Sequence, residues 1–398
     1  MTNNPTLLHD RIHYLQSQLQ EEGIFAALIQ KPRNLYYYAQ TSQPSNLWVP
    51  AEGEPILFTR RAHEFTREQT HIKNVINAGN LKEMKAYLIG LDMFPSFNHY
   101  IGAEIDFLPY NLVKKLESTI DTGKLINITN IIMEQRLVKS DDEVQKIRNS
   151  AKLWKLSHEA ILEHGRAGQK EHEIAAIFES EARKNGGDGL VWFHRWDACL
   201  PGGGIVASGE NSWVISGHAM TVTGVGLSNA LPWGSSNRHL KNGDLMVLDY
   251  GISKEGYHSD MARTYSIGKA SIKQIDLWNK LLDVHFQVID KVRPGISGAE
   301  LYEFALNLVK QRNMEEFFMG IGDNRGEYIG HSIGLELDEF PVIGPKAKEP
   351  FKENTVITLE PKFMVPEIGS VMVEDDILIT PNGHEIIGEV GHELFEIN

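Results

Sequence analysis

Apolar residues recur at helical spacing through residues 7–22, where Leu8, Ile12, Leu15 and Leu19 share one face and Gly23 ends the pattern. The unbroken apolar run that follows, IFAALIQ at 24–30, predicts a strand. LWVP, PILFT, NVINA and IGAEI predict further strands, with helical stretches such as 110–119 between them. This alternation describes a small α/β domain over residues 1–136. A new helix then starts at SDDE, where Ser140 and Glu143 have capping-box spacing and Val144, Ile147, Ala151 and Leu153 continue an apolar face. Further helices are predicted at 171–184, 271–292 and 298–312, the last opened by Ser297 with Glu300. Residues 190–267 and 327–388 are strand-rich, so the second domain, 137–398, is also mixed α and β.

At 398 residues the chain exceeds what one core usually supports, which agrees with two domains. A net charge of −14 argues against nucleic acid and anionic membrane as partners, since both need a basic surface. The single cysteine, Cys199, rules out an intrachain disulfide and thiolate metal clusters, and is expected to be a small buried side chain. No run approaches a membrane span, and the N-terminus lacks a signal-peptide pattern. The expected location is the cytoplasm.

Five residues sit where a bare acid or imidazole should not. Asp249 follows the apolar run Leu245-Met246-Val247-Leu248, and burying an unpaired carboxylate costs several kcal/mol. Asp260 follows 11 residues later, with Gly251 and Gly256 between them to form a turn. A hairpin there would bring the two aspartates face to face. Glu360 ends the apolar run TVITLE and Glu374 ends SVMVE, again at hairpin spacing. His331 lies between Gly330 and Gly334, where backbone can approach closely. Two divalent ions would neutralise the four carboxylates, and hard oxygen ligands with one histidine suit Mn²⁺, Co²⁺, Fe²⁺ or Zn²⁺.

The order Asp, Asp, His, Glu, Glu, the sequence GHSIGLE, and LEPKF followed by VEDD resemble the pita-bread metallohydrolases. That family includes methionine aminopeptidase, aminopeptidase P, prolidase and creatinase. RNLYYYAQ and IGAEIDFLP resemble the N-terminal domain of creatinase and prolidase. The resemblance implies a pita-bread catalytic domain behind a creatinase/prolidase-type α/β domain, and a homodimer. It further implies that Asp260 and Glu374 bridge both ions, that Asp249 binds one, and that His331 and Glu360 complete the other. A metal-bridging water would be the nucleophile, with Glu360 as acid/base.

Three accessory positions depart from the peptidases of that family. Asp338 stands where they carry a second histidine, Trp233 replaces another, and Met372 replaces an arginine two residues before the last glutamate. All three are expected to line the substrate pocket. His218 and His258 are candidates to do the missing catalytic work, Arg263 is expected to support the ligands from behind, and His194 is read as structural. The leading reading is a metal-dependent hydrolase of Xaa-Pro peptides. The alternative is a creatinase-like hydrolase of a small amide or C–N bond, and a third is a binding module without catalysis.

Overall fold

The computed structural model describes residues 5–95, 99–121, 123–195, 198–215 and 222–398. The chain forms two compact units, Met1–Arg136 and Leu137–Asn398. No helix among the described residues is long and apolar enough to cross a membrane.

The first unit is built on one mixed six-stranded sheet in the order β4-β3-β2-β1-β5-β6. Its elements run α1 (Pro5–Glu21), β1 (Ile24–Ile29), α2 (Pro32–Ala39), β2 (Ser45–Pro50), β3 (Ile56–Thr59), α3 (His63–Gln69), β4 (Asn74–Asn77), α4 (Leu81–Gly90), β5 (His99–Ala103), α5 (Tyr110–Thr119), β6 (Gly123–Asn127) and α6 (Thr129–Leu137). Ala26, Leu28, Trp48, Phe58 and Ile101 from the sheet pack with Met84, Leu88 and Leu116 from the helices. β1 is buried on both faces, as its unbroken apolar run predicts.

The second unit opens with α7 (Asp141–His164), capped by Ser140 and Glu143, and α8 (Glu171–Lys184). β7 (Gly204–Ser208), β8 (Leu245–Lys254) and β9 (Tyr257–Ile267) form a sheet completed by the C-terminal strand, in the order β19-β9-β8-β7. α9 (Ile272–Ile289) and α10 (Gly298–Gln311) follow, then a short hairpin of β10 (Gly320–Ile321) and β11 (Asn324–Arg325). β12 (His331–Ser332), β13 (Glu339–Val342) and β14 (Val356–Leu359) belong to the second sheet. β15 (Lys362–Val365) and β16 (Gly369–Met372) make a hairpin of their own. β17 (Asp375–Thr380) and β18 (Gly383–Ile386) complete the second sheet, β13-β12-β14-β17-β18, and β19 is Phe395–Ile397. An apolar core of Leu277, Leu281, Val284, Leu301, Ile357, Val371 and Ile377 joins α9 and α10 to the strands. α7 is fastened to the first sheet by Trp154 Nε1–H, which donates to the Tyr250 carbonyl at 3.0 Å, and by Ser150 Oγ–H to the Tyr257 carbonyl at 2.8 Å.

Candidate metal centre

Strand pairing collects the acidic residues. In the β8–β9 hairpin Asp249 pairs with Ala262, and Gly251 pairs with Asp260. Side chains alternate along a strand, so Asp249 and Asp260 share one face and lie diagonal to each other rather than directly opposed. Ala262 also bridges to Glu374, which brings the link between β16 and β17 alongside β9. Glu360 follows β14, whose neighbour β12 carries His331. The close approach of these two segments needs Gly330: a Cβ there would fall 2.1 Å from the Thr358 carbonyl oxygen.

The result is a cavity of about 110 Å³ whose lining includes Asp249, Asp260, His331, Glu360 and Glu374. Ligand atoms of Asp260, His331 and Glu374 lie within 4.8 Å of one another. His331 Nε2 is 3.8 Å from Asp260 Oδ2 and 3.9 Å from Glu360 Oε1, while Nδ1–H donates to the Ser332 carbonyl at 3.1 Å. That bond leaves Nε2 turned toward the carboxylates, the orientation a ligating imidazole needs.

The electrostatics fit a divalent cation. Burial raises the Asp260 carboxyl well above its ordinary range, and the charges of Asp249, Asp376, Glu360 and Asp338 raise it further. Glu374 is raised in the same way, by burial and then by Asp260, Asp249 and Glu360. Glu374 Oε2 is buried without a hydrogen-bond partner. Crowded carboxylates with an unpartnered oxygen are a donor set that a divalent cation would neutralise.

The shell behind the ligands is better satisfied. Arg263, fully buried, donates to Asp375 Oδ1 at 2.7 Å and to the Glu374 carbonyl at 2.7 Å. His285 and His392 each donate from Nε2 to Asp375 Oδ2 at 2.7 Å. Burial alone would raise Asp375; Arg263 and the two histidines outweigh it and hold the carboxyl well below its usual range. The Asp260 amide donates to Asp376 Oδ1 at 3.2 Å. Arg263 thus braces the backbone of Glu374 from behind.

Several pocket expectations need correction. Met372 is fully buried in an apolar cluster with Ile205, Val247 and Ala262, away from the cavity lining. Trp233 donates its indole N–H to the Cys199 carbonyl at 3.0 Å and does not line the cavity either. His258 shares a strand face with Asp260, but Nε2 accepts from the Trp192 amide at 3.0 Å and Nδ1 bonds the Gly334 carbonyl at 3.0 Å. Both ring nitrogens are spent on backbone, so His258 holds two loops together. Cys199 is exposed and lines the cavity instead of being buried. His218 lies outside the described residues.

Asp338 does line the cavity; burial raises its carboxyl, while Oδ1 accepts from the His194 amide at 2.6 Å. Sequence reasoning missed Arg195 and Tyr328, both in the lining. It also missed Lys362, whose buried Nζ is 3.1 Å from Glu360 Oε2. Lys362 pairs with Met372 across the β15–β16 hairpin, so a cation stands opposite the position where one is missing.

Residues 145–381 match the family model of metallopeptidase family M24, and residues 11–138 match the creatinase/prolidase N-terminal domain. The first match covers more than half of the chain, and the chain belongs to metallopeptidase family M24. Its fold is the pita-bread fold of that family, with a creatinase/prolidase-type domain before it. The chain is 26% identical over 391 residues to the Xaa-Pro dipeptidase of Pyrococcus horikoshii, covering 98% of this chain and 99% of that one. The crystal structure of a Pyrococcus horikoshii prolidase superposes with a TM-score of 0.80 at 26% identity, covering 97% of this chain and all of the other (100%). An X-Pro aminopeptidase from Thermotoga maritima gives 0.80 at 25% identity, covering 97% and 99%.

Proposed function

We propose that this metallopeptidase cleaves Xaa-Pro dipeptides, with two divalent ions held by Asp249, Asp260, His331, Glu360 and Glu374. The observation that carries the reading is the convergence of four carboxylates and one imidazole on a single cavity, with Glu374 Oε2 unpartnered. Asp260 and Glu374 would hold both ions, Asp249 would hold one, and His331 and Glu360 would hold the other. Mn²⁺, Co²⁺, Zn²⁺ or Fe²⁺ bound there supplies Lewis-acid activation of water and of the scissile carbonyl.

The chain's own residues do the rest. Glu360 accepts the proton of the attacking water on its carboxylate and delivers it to the proline nitrogen as the C–N bond breaks. Lys362 orients that carboxylate through Oε2. Asp338, on the cavity wall, suits the free amino group of the substrate. Arg195 supplies the only lysine or arginine among the described lining residues and suits the carboxylate of a dipeptide. This pairing of an acid with an arginine favours a dipeptide over a longer chain. The relatives, an Xaa-Pro dipeptidase and a prolidase, favour a peptide over a small amide, and the retained ligands speak against a mere binding module. The reading also has the chain working as a cytoplasmic homodimer, by likeness to its family.

Hydrolysis of Xaa-Pro dipeptides, Xaa-Pro-Xaa tripeptides and small N-substituted glycines by metal-loaded protein tests the reading. Cleavage of dipeptides, lost in Asp260→Asn and Glu374→Gln, is expected. Cleavage of the small amides alone would overturn it.

A further inference from the structure

Tyr328 lines the cavity but takes no part in the chemistry above. Its surroundings fix it beside the ligands. The Ile329 carbonyl accepts from the Glu360 amide at 2.8 Å, and the Ile329 amide donates to the Ile343 carbonyl at 2.8 Å. A Cβ on Gly344 would fall 3.3 Å from the Tyr328 Cβ, so the glycine lets the two segments approach closely. The ring is therefore held on its backbone side while its hydroxyl has no hydrogen-bond partner among the described residues. Tyr328 is half-buried and its hydroxyl is open to the cavity, where it is placed to meet a group on the substrate.

Two described donors near the cavity are committed. His331 faces the carboxylates, and the Trp233 indole is bonded to the Cys199 carbonyl. Arg195 is exposed and charged, which suits an anionic end group. Asp338 is an acceptor in its ionised form. Among the described lining residues Tyr328 carries the one hydroxyl, a neutral donor suited to a carbonyl oxygen. Burial, and then the fields of Glu360, Asp338 and Asp249, raise its phenol far above neutral pH, so the proton is retained.

We propose that the Tyr328 hydroxyl donates a hydrogen bond to the scissile carbonyl oxygen and strengthens that bond as negative charge builds on it. When water adds to the carbonyl carbon, the C=O π pair moves onto this oxygen. When the C–N bond breaks, the pair returns and the nitrogen leaves with the proton from Glu360. Tyr328 keeps its own proton throughout. The proposal rests on the peptidase reading, and it gives the cavity the donor that Asp338, Trp233 and Met372 do not supply.

Tyr328→Phe removes one oxygen and keeps the ring. With an Xaa-Pro dipeptide and Mn²⁺-loaded protein, kcat is expected to fall by about 100-fold and KM to move by less than about threefold. Metal content should stay unchanged, and a phosphinic dipeptide analogue of the tetrahedral state should bind about 100-fold more weakly by calorimetry. Tyr328→His, which keeps a ring donor, should retain more of kcat than the Phe variant. A kcat within threefold of wild type in the metal-loaded Phe variant, or equal losses in the Phe and His variants, would overturn the proposal alone. Wild-type protein that cleaves no Xaa-Pro peptide would overturn the peptidase reading and this proposal with it.

Discussion

The Lys362 ammonium lies 3.1 Å from Glu360 Oε2, with both side chains out of water. A cation this close to a metal ligand competes with the ion for the same carboxylate. Removing it with Lys362→Met should tighten divalent-metal binding on the order of tenfold (~1.4 kcal/mol). The metal-free variant should at the same time lose stability, because Glu360 is left buried and unpaired. Calorimetric titration with Mn²⁺ and thermal unfolding of the apo-protein measure the two effects, which have opposite signs.

The contact of Arg263 with Asp375 is fully buried, and the same guanidinium holds the Glu374 carbonyl. Asp375→Asn strands that charge. Chemical denaturation should report a loss of roughly 3–5 kcal/mol, and metal affinity should fall with it because Glu374 loses its brace. An unfolding midpoint equal to wild type would show that the pair carries no weight.

Arg195 is assigned to the substrate's carboxylate. Arg195→Met should raise KM for an Xaa-Pro dipeptide by about 10- to 100-fold, the value of a charge-assisted bond. Hydrolysis of the C-terminally amidated dipeptide should change little. An equal effect on both substrates would remove Arg195 from recognition.

His158 sits under the first sheet of the second unit, where its Nδ1 meets the Tyr265 hydroxyl at 2.6 Å. Burial, with help from Arg263, lowers its pKa to about 3, against about 6.5 in an unfolded chain. Between those values the unfolded state binds a proton that the folded state refuses, so stability rises with pH across this window. Lowering pH below about 6.5 should therefore cost up to about 1.4 kcal/mol per pH unit from this group alone. Denaturation at pH 7 and pH 5 measures the slope, and His158→Phe should flatten it.

Local patterns made much of this legible. The run Ile24–Ile29 and the caps at Ser140 and Ser297 depend on neighbours in sequence and form where the local pattern predicts, whereas the two aspartates share a hairpin but lie diagonal, with Gly251 in the strand rather than the turn. What was hidden depends on tertiary register. Lys362 reaches Glu360 only because the β15–β16 hairpin starts at that residue. His258 has the right strand parity for the site, yet loops carrying Trp192 and Gly334 capture both its nitrogens. The spacing of Met372 to Glu374 predicts a place in the pocket, whereas packing sends it into an apolar cluster. Arg195 and Tyr328 carry no local mark, because what they face is decided by segments far away in the chain.

Elemental analysis after Mn²⁺ reconstitution and dialysis tests the central claim most directly. Wild-type protein should retain about two ions per chain, and Asp260→Asn with Glu374→Gln should retain close to none while still folding. Wild-type protein that folds, takes up no divalent ion from Mn²⁺, Co²⁺ or Zn²⁺, and still hydrolyses its substrate would contradict the metal cage outright.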